Sequence, residues 1–373
     1  LATKGYTDDT ERAYARALEL CKGAGEIPQL FPVLRGLASF YTLRAEPEKA
    51  IQMGERILAL AEHLDDADMK IEANIILGSY LGFNDPGTGV ARIEKALAAY
   101  DLRRPRVGLG LGSYPAVVGL TVSAIFLWTL GYPDRARKRA ADSILLARQM
   151  KHPFSITYTL FHNGLLNVWL KDYKNAHESA QALLEIADAH GFQIWQAVGS
   201  CILGTTFVEF GSSDKGLALI EQGLNAYQHL KAPPVFWPML LYLGAGAYGA
   251  AAEPEAGLRM MNEAIEVASP KGSADTLTSE FLIRKGALLL ALSSDNAAEA
   301  EALYEQAVLN AQEVRAPMLE LRAAIALSRL WHEQGDDERA RKQLSEAYYK
   351  ITEGFATPDL KDARTLLNDL TER

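Results

Sequence analysis

The sequence predicts an all-α fold, a right-handed α-solenoid of about eight helix pairs that repeat roughly every 40 residues. Eight small residues recur at intervals of 39, 47, 40, 40, 41, 43 and 40 residues: Ala50, Gly89, Ala136, Ala176, Gly216, Gly257, Ala300 and Ala340. Each is followed at i+4 and i+7 by another small or apolar residue, so each triplet lies on one helix face. No stretch alternates between polar and apolar residues with period two, so no strand is predicted.

Each small residue begins the second helix of a pair. In every unit except the seventh, the first helix carries a further marker nine residues earlier, mostly aromatic or apolar: Tyr41, Tyr80, Leu127, Asn167, Phe207, Tyr248 and Trp331. Gly, Pro and Asp separate the two helices, which is typical of a helix end followed by a helix start. This arrangement resembles the tetratricopeptide repeat, and the longer period here predicts longer helices than the usual repeat of about 34 residues contains.

The repeats predict a single domain that spans residues 1–373. A leading helix lies within 1–25, eight helix pairs occupy 26–352, and a C-terminal capping helix lies within 353–373. Such units cannot bury their apolar faces alone and must stack on their neighbours. The 47-residue interval contains an insertion near 101–114 that is rich in Gly and Arg, and long loops of this kind are often functional.

Composition excludes several classes of function. The 373-residue chain has a net charge of −9, which disfavours a general affinity for nucleic acid. Cys21 and Cys201 lie far apart, so we expect a reducing, cytoplasmic setting. No apolar run reaches the ~18 residues of a membrane span. The chain starts at Leu1 without a secretory signal, so we expect a piece of a longer polypeptide.

The sequence contains no recognisable catalytic, metal or cofactor motif. It has no G-x-x-x-x-G-K-[ST] phosphate-binding loop. His332 and Glu333 begin like a zinc-protease motif, but Asp336 stands where the second histidine belongs. The run Gly108-Leu-Gly-Leu-Gly-Ser follows no predicted strand, so it reads as a loop rather than a phosphate cradle. We therefore predict no catalytic residue, no metal, no cofactor and no enzymatic activity.

Several segments resemble one family over roughly residues 10–370. The segments that carry the resemblance, in chain order, include LGYPDRARKRAADSILLAR, HPFSITYTLF, RLWHEQGDDERARKQL and EGFATPDLKDARTLL. They are similar to the C-terminal repeat region of bacterial class III adenylate/guanylate cyclase–STAND ATPase signalling proteins. The resemblance implies a sensor or docking domain that controls an ATPase or cyclase elsewhere in the polypeptide. It transfers no catalytic residue. RRPRVGLGLGSYP replaces the acidic, Gly-containing loop of the relatives.

Candidate binding residues follow from the repeat geometry. First helices line the concave surface of such arrays, which would present Arg35, Ser39, Asn74, Thr121, Trp128, Phe161, Thr205, Tyr242, Arg322, Arg329 and His332. For Trp128 and Phe161, which lie in a strongly apolar region, the alternative is a position in the core. The insertion adds Arg103, Arg104 and Arg106. A further basic group on one second helix (Arg135, Arg137, Lys138 and Arg139) is interpreted either as solvated helix surface or as part of a patch for an acidic partner.

The leading hypothesis is therefore a binding or sensor module of a multidomain bacterial signalling ATPase/cyclase or regulator. Its partner would be a protein or the ATPase and cyclase domains of the same polypeptide, with a peptide or small-molecule ligand as a further possibility. The first alternative is a stand-alone peptide-binding tetratricopeptide regulator. The second is an enzyme with a cryptic site in the loop near Arg103.

Overall fold

The computed structural model describes residues 8–22, 28–100, 114–230, 234–268 and 275–371. Within these ranges the chain forms eighteen α-helices and two short 3-10 turns, without a β-strand. The predicted all-α class is therefore confirmed. Residues 101–113, and with them Arg103, Arg104, Arg106 and the Gly108 run, lie outside the described residues.

The helices form eight antiparallel pairs between a leading and a trailing helix. The leading helix is α1 (Asp8–Lys22) and the trailing helix is α18 (Pro358–Asp369). The first four pairs are α2 (Leu30–Leu43) with α3 (Pro47–His63), α4 (Ala67–Leu81) with α5 (Pro86–Ala98), α6 (Pro115–Thr129) with α7 (Pro133–Gln149), and α8 (Pro153–Trp169) with α9 (Tyr173–His190).

The second four pairs continue the same alternation. They are α10 (Gln193–Glu209) with α11 (Ser213–His229), α12 (Trp237–Ala250) with α13 (Pro254–Ala268), α14 (Thr276–Leu292) with α15 (Ala297–Glu313), and α16 (Pro317–Glu333) with α17 (Asp337–Tyr348). The 3-10 turns are Pro234–Phe236, directly before α12, and Ser294–Asn296, directly before α15. The second turn is part of the longer connection in the seventh pair.

Local signals at the turns explain where the helices begin and end. The turn inside a pair usually contains one residue with positive φ: Ala45, Gly131, Lys171, Gly211, Ala252 or Gly335. This left-handed conformation ends the first helix. The next helix begins with Pro in its first turn or with an acidic cap, as where the Asp172 and Asp336 side chains accept hydrogen bonds from backbone N–H groups.

The predicted helical register is confirmed by burial. All eight small residues from Ala50 to Ala340, and all sixteen residues that follow them at i+4 and i+7, are buried. They face the first helix of their own pair, which contacts the second helix extensively in each unit. The intra-pair contact is therefore the unit from which the solenoid is built.

The first helices form an inner layer and the second helices an outer layer. From α4 to α18, each even-numbered helix contacts the next even-numbered helix, whereas the second helices of successive pairs make no comparable contact in the described part of the chain. Inner helices such as α6 and α12 are buried along most of their length, because they are covered by both neighbours and by their own partner. The solenoid therefore curves with its first helices inside.

The curvature brings the chain back to itself after ten helices. The 3-10 turn before α12 contacts α2, and the Thr276 N–H at the start of α14 donates to the Phe83 carbonyl after α4, 3.0 Å away. In the same way α16 contacts α6, and the Asp359 carboxylate of α18 lies 2.7 Å from Lys171 Nζ after α8. All four contacts join elements ten helices apart, so five helix pairs make one superhelical turn.

Two hydrogen bonds between backbone N–H groups and side-chain carboxylates also join the third pair to the segment after the eighth pair. The Gly354 N–H donates to Asp134 Oδ2 at 3.0 Å, and the Arg135 N–H donates to Glu353 Oε1 at 2.9 Å. Gly131 has φ +84°, and a Cβ at this position would lie 2.5 Å from Ile351 Cδ1. Gly131 therefore satisfies both a left-handed turn and a close approach between distant parts of the chain.

The tightest helix contact in the fifth pair predicts an unusual effect of alanine. A Cβ on Gly204 of α10 would lie 2.5 Å from the Gly216 carbonyl oxygen, and a Cβ on Gly216 of α11 would lie 2.6 Å from the Gly204 carbonyl oxygen. We expect Gly216→Ala to lower the free energy of unfolding by roughly 1–3 kcal/mol, although alanine favours helices, because α10 and α11 must move apart. Chemical denaturation measures this change.

The matched control is Gly87→Ala, where an added Cβ would meet a single atom within 4 Å, Asp85 Oδ1 at 3.3 Å. This substitution should leave stability unchanged or raise it. If Gly216→Ala lowers the free energy of unfolding no more than Gly87→Ala does, the close packing of α10 against α11 is contradicted.

Candidate functional site

Two adjoining cavities lie in the inner layer of the superhelix. The first has a volume of about 360 Å³ and lies between α14, α16, α18 and the turn after α8. The second has a volume of about 220 Å³ and lies between α8, α10, α12, α14 and α16. Lys171, Ile283, Ala287 and Arg322 line both. The two cavities therefore form one candidate site, to which the last five helix pairs and the trailing helix contribute.

A chain of buried polar contacts runs along the wall between the cavities. The Tyr242 hydroxyl donates to Glu280 Oε2 at 2.7 Å, and Glu280 Oε1 lies 3.1 Å from Arg322 Nη1. Arg322 Nε lies 3.8 Å from Asp359 Oδ2, whose other oxygen lies 2.7 Å from Lys171 Nζ. Glu280 and Asp359 are both buried, so their charges require these cationic partners.

The surroundings fix the protonation of this network. Burial raises the pKa of the Tyr242 hydroxyl, and the charge of Glu280 raises it further, so Tyr242 remains a hydrogen-bond donor. Burial alone would lower the pKa of the Arg322 guanidinium, but Glu280 and Asp359 outweigh it, and the pKa lies above its usual value. Burial also raises the pKa of Tyr173 at the edge of the second cavity, and Glu209 adds to this shift.

Arg322 also connects the site to the earlier half of the chain. Its Cζ lies 5.7 Å from the centroid of the Trp128 ring on α6, which is a cation–π distance. On α8, Trp169 stacks against Trp128 with ring centroids 5.0 Å apart and an interplanar angle of 3°. The same arginine thus lines both cavities and takes part in the contact between α6 and α16.

Arg284 has a separate position in the second cavity. A Cβ on Gly246 of α12 would lie 3.1 Å from Arg284 Cζ, so the guanidinium occupies the space left by the missing side chain. Arg284 Nη2 donates to the Tyr242 hydroxyl at 3.3 Å, and Arg284 Cζ lies 5.0 Å from the centroid of that ring. Tyr242 therefore holds both Glu280 and Arg284 in place.

Part of the predicted groove set lines the cavities. Four of its eleven members do so: Thr205, Tyr242, Arg322 and Arg329. Arg329 is exposed at the rim of the first cavity and pairs with Asp362 of α18. Asn74 is half-buried, and its Oδ1 accepts from Arg92 Nη1 at 3.2 Å. A binding role for these residues stays a prediction.

Of the two positions considered for Trp128 and Phe161, the structure shows the core and not an open groove. Trp128 is covered by Trp169 and Arg322, and Phe161 contacts the rings of Trp195 and Phe236. Both are at most 2% exposed. Arg35 is also buried, where its Nη1 lies 2.7 Å from Glu72 Oε1. Trp128 is thus covered in part from α16 across the superhelical turn, whereas Phe161 and Arg35 are covered by side chains from nearby inner helices and turns.

The basic residues of α7 are paired with neighbouring carboxylates. Arg135 and Arg139 lie 3.8 Å and 2.8 Å from Glu94 Oε1, Arg137 lies 3.6 Å from Asp172, and Lys138 lies 2.7 Å from Asp142. Of the two interpretations given above, this pairing favours ordinary helix surface. The insertion arginines cannot be added to this group, since they lie outside the described residues.

Sequence reasoning missed Lys171, Glu280, Arg284 and Asp359, although two signals point to the first three of them. Glu280 and Arg284 are charged residues spaced i, i+4 on α14, an inner helix that is otherwise mostly apolar. Lys171 has φ +53° at a turn position where the neighbouring pairs have Gly131 and Gly211. Among the non-glycine residues with positive φ at this turn position, Lys171 is the one with a charged side chain, since the others are Ala45 and Ala252.

Among the residues that the structure describes, no group of three or more His, Cys, Asp or Glu side chains is placed to hold a metal ion. None of the described helices combines the length and apolar character that crossing a membrane requires.

Comparisons with known proteins match the fold but give no family. No family model matches the chain, and no curated protein matches its sequence. Among solved structures, the APC/C hetero-tetramer Cut9-Hcn1 is 12% identical with a TM-score of 0.57, covering 97% of this chain and 59% of that chain. This chain therefore spans less than two thirds of that structure's length.

Two other structures match over nearly their whole length. A Rap protein complexed with competence and sporulation factor is 9% identical with a TM-score of 0.58, covering 92% of this chain and 98% of that chain. The apo form of RapI is 13% identical with a TM-score of 0.51, covering 76% and 100%. At these identities the likeness concerns the fold alone, and it shows that the chain is a tetratricopeptide-like α-solenoid.

Proposed function

We propose that this chain is a binding module that holds a peptide segment of a protein partner in the two central cavities. The observation that carries the proposal is the cavity pair itself, which gathers charged and aromatic side chains from five consecutive helix pairs. Pockets of about 300–1,000 Å³ with a few placed polar groups are typical of ligand sites. The first cavity alone reaches this range.

The wall chemistry supports a polar, extended ligand. The first cavity is lined by Lys171, Arg322 and Arg329 and by Glu333, Asp359 and Asp362, so both signs of charge are present. Ile283, Ala287, Leu290 and Ile325 supply apolar surface between them. Peptides offer main-chain donors and acceptors together with side chains of mixed character, and this combination matches such a wall.

We propose further that the module serves a signalling protein, as the resemblance to the repeat region of cyclase–STAND ATPase proteins implies. The occupant of the cavities would then report to, or belong to, an ATPase or cyclase domain of the same polypeptide. The structure of a Rap protein complexed with competence and sporulation factor supports a ligand-binding role for this fold. The alternative is a stand-alone peptide-binding regulator, which an independent open reading frame of this length would favour.

A third part of the proposal is that the chain catalyses no reaction alone. Three of the four cations that line the cavities are bound in ion pairs, and no phosphate-binding loop occurs in the sequence. We expect the purified chain to hydrolyse neither ATP nor GTP above a no-protein blank, measured by phosphate release. Turnover that a point substitution within this chain abolishes would contradict the proposal.

Filling the space that the two cavities share should weaken peptide binding. Ala287 is exposed and lines both cavities, so Ala287→Trp places an indole in the shared space with little effect on the core. Peptides enriched from a displayed random library on the unmodified chain should lose affinity for this variant by about ten-fold or more, because the indole and the peptide compete for one volume. Titration calorimetry with the selected peptides measures the loss.

The matched control is Ala302→Trp, which introduces the same indole at an exposed position on the outer helix α15. This variant should bind the selected peptides like the unmodified chain. The proposed function is contradicted if no peptide is enriched, or if the selected peptides bind Ala287→Trp as tightly as the unmodified chain.

A further inference from the structure

Arg284 is the one cation of the two cavities that has no ion pair within the described part of the chain. The other three are Lys171, Arg322 and Arg329, which pair with Asp359, Glu280 and Asp362. A guanidinium carries five N–H donors. Among the described residues, Arg284 has a single hydrogen-bond acceptor, the Tyr242 hydroxyl at 3.3 Å. Most of the donor capacity of Arg284 is thus unused by the protein.

The guanidinium is nevertheless held in a defined place. It lies over the Tyr242 ring and beside Gly246, where an added Cβ would lie 3.1 Å from Arg284 Cζ. Tyr242 is itself buried and fixed by its 2.7 Å hydrogen bond to Glu280. A charged side chain that is positioned in advance loses less conformational entropy when it binds a ligand.

The charges around Arg284 favour an anion with a single charge. The second cavity is lined by three cations, Lys171, Arg284 and Arg322, and two carboxylates, Glu209 and Glu280, and Asp359 lies 2.7 Å from Lys171. Lys171 and Arg322 are paired with carboxylates, so Arg284 is the cation that is left for a ligand. A group with a single negative charge matches Arg284, whereas a doubly charged group would be repelled more strongly by the carboxylates that share the wall.

We propose that Arg284 binds a carboxylate of the peptide ligand in the second cavity. The planar fork of an arginine matches the two oxygens of a carboxylate, and such pairs form two parallel hydrogen bonds. The acidic group is an Asp or Glu side chain, or the C-terminal carboxylate of the peptide. This inference rests on the proposed peptide-binding function and adds the chemical class that the second cavity selects.

The test uses four pools of synthetic heptapeptides that share random flanking positions. One has a central Asp and an amidated C-terminus, the second has Asn in place of that Asp, the third has Asn and a free C-terminal acid, and the fourth has phosphoserine in place of Asp. Binding is measured by fluorescence polarisation on the full chain and on the variants Arg284→Gln and Arg284→Lys. Arg259→Gln, which removes an exposed arginine from the outer helix α13, is the control.

We expect the Asp pool or the free-acid pool to bind about ten-fold more tightly than the Asn amide pool, and Arg284→Gln to remove this preference. Arg284→Lys should keep part of it, since the charge remains and the fork is lost. Arg259→Gln should change nothing. Whichever acidic pool binds identifies the source of the carboxylate. A thermal melt of Arg284→Gln verifies that the variant is folded.

Failure of the inference differs from failure of the proposed function. If all four pools bind equally, if phosphoserine binds most tightly, or if folded Arg284→Gln keeps the preference for acid, Arg284 is not a carboxylate site although peptide binding stands. The same holds if Arg284→Gln does not fold and Arg284→Lys, when folded, binds all pools equally. If no pool binds the unmodified chain, the proposed function fails, and this inference fails with it.

Discussion

The packing of α16 against α6 joins parts of the chain that lie ten helices apart, and Arg322 over the Trp128 ring is at its centre. In a solenoid held only by contacts between neighbouring helices, distant units are free to move relative to one another, because each unit constrains only the next one. Here the third pair also contacts the eighth pair, and the hydrogen bond from the Gly354 N–H to the Asp134 carboxylate helps to hold them together. The inner surface is narrowed as a result, and it carries two adjoining cavities that are partly open to solvent.

The charge network depends on this closure. Lys171 belongs to the turn after α8 and Asp359 to α18, so their ion pair exists only when one superhelical turn returns to its start. Asp359 is buried, and a buried carboxylate without its cations would be strongly destabilising. Arg322 contacts Glu280, Asp359 and Trp128 together, so the elements that close the superhelix also shape the site. A ligand that displaced Asp359 from Lys171 would weaken the ion pair that joins α18 to the turn after α8.

The sequence alone predicts the helix repeat but does not predict which residues meet in the candidate site. The spacing of Ala50 to Ala340 predicts the helix pairs and their buried faces, because a period of 3.6 residues is read within each helix alone. The number of pairs per superhelical turn depends on small angles between packed helices, which no local pattern encodes. For this reason the sequence left both the groove and the core open for Trp128 and Phe161, which are found in the core. Tyr242, Arg322 and Arg329 line the cavities, and their partners come from α14 and from the trailing helix, which the repeat pattern does not bring together.

The ion pair between Lys171 and Asp359 brings the turn after α8 and α18 together across one superhelical turn, and a zero-length carbodiimide crosslink tests this contact most directly. Lys350 and Glu320 serve as the internal standard, since their ion pair is 2.6 Å long, the carboxylate is equally buried, and the two residues lie on adjacent elements. Mass spectrometry of the digested monomer should find both the 171–359 and the 320–350 crosslinks. Recovery of the 320–350 crosslink without any 171–359 crosslink would show that the superhelix is open.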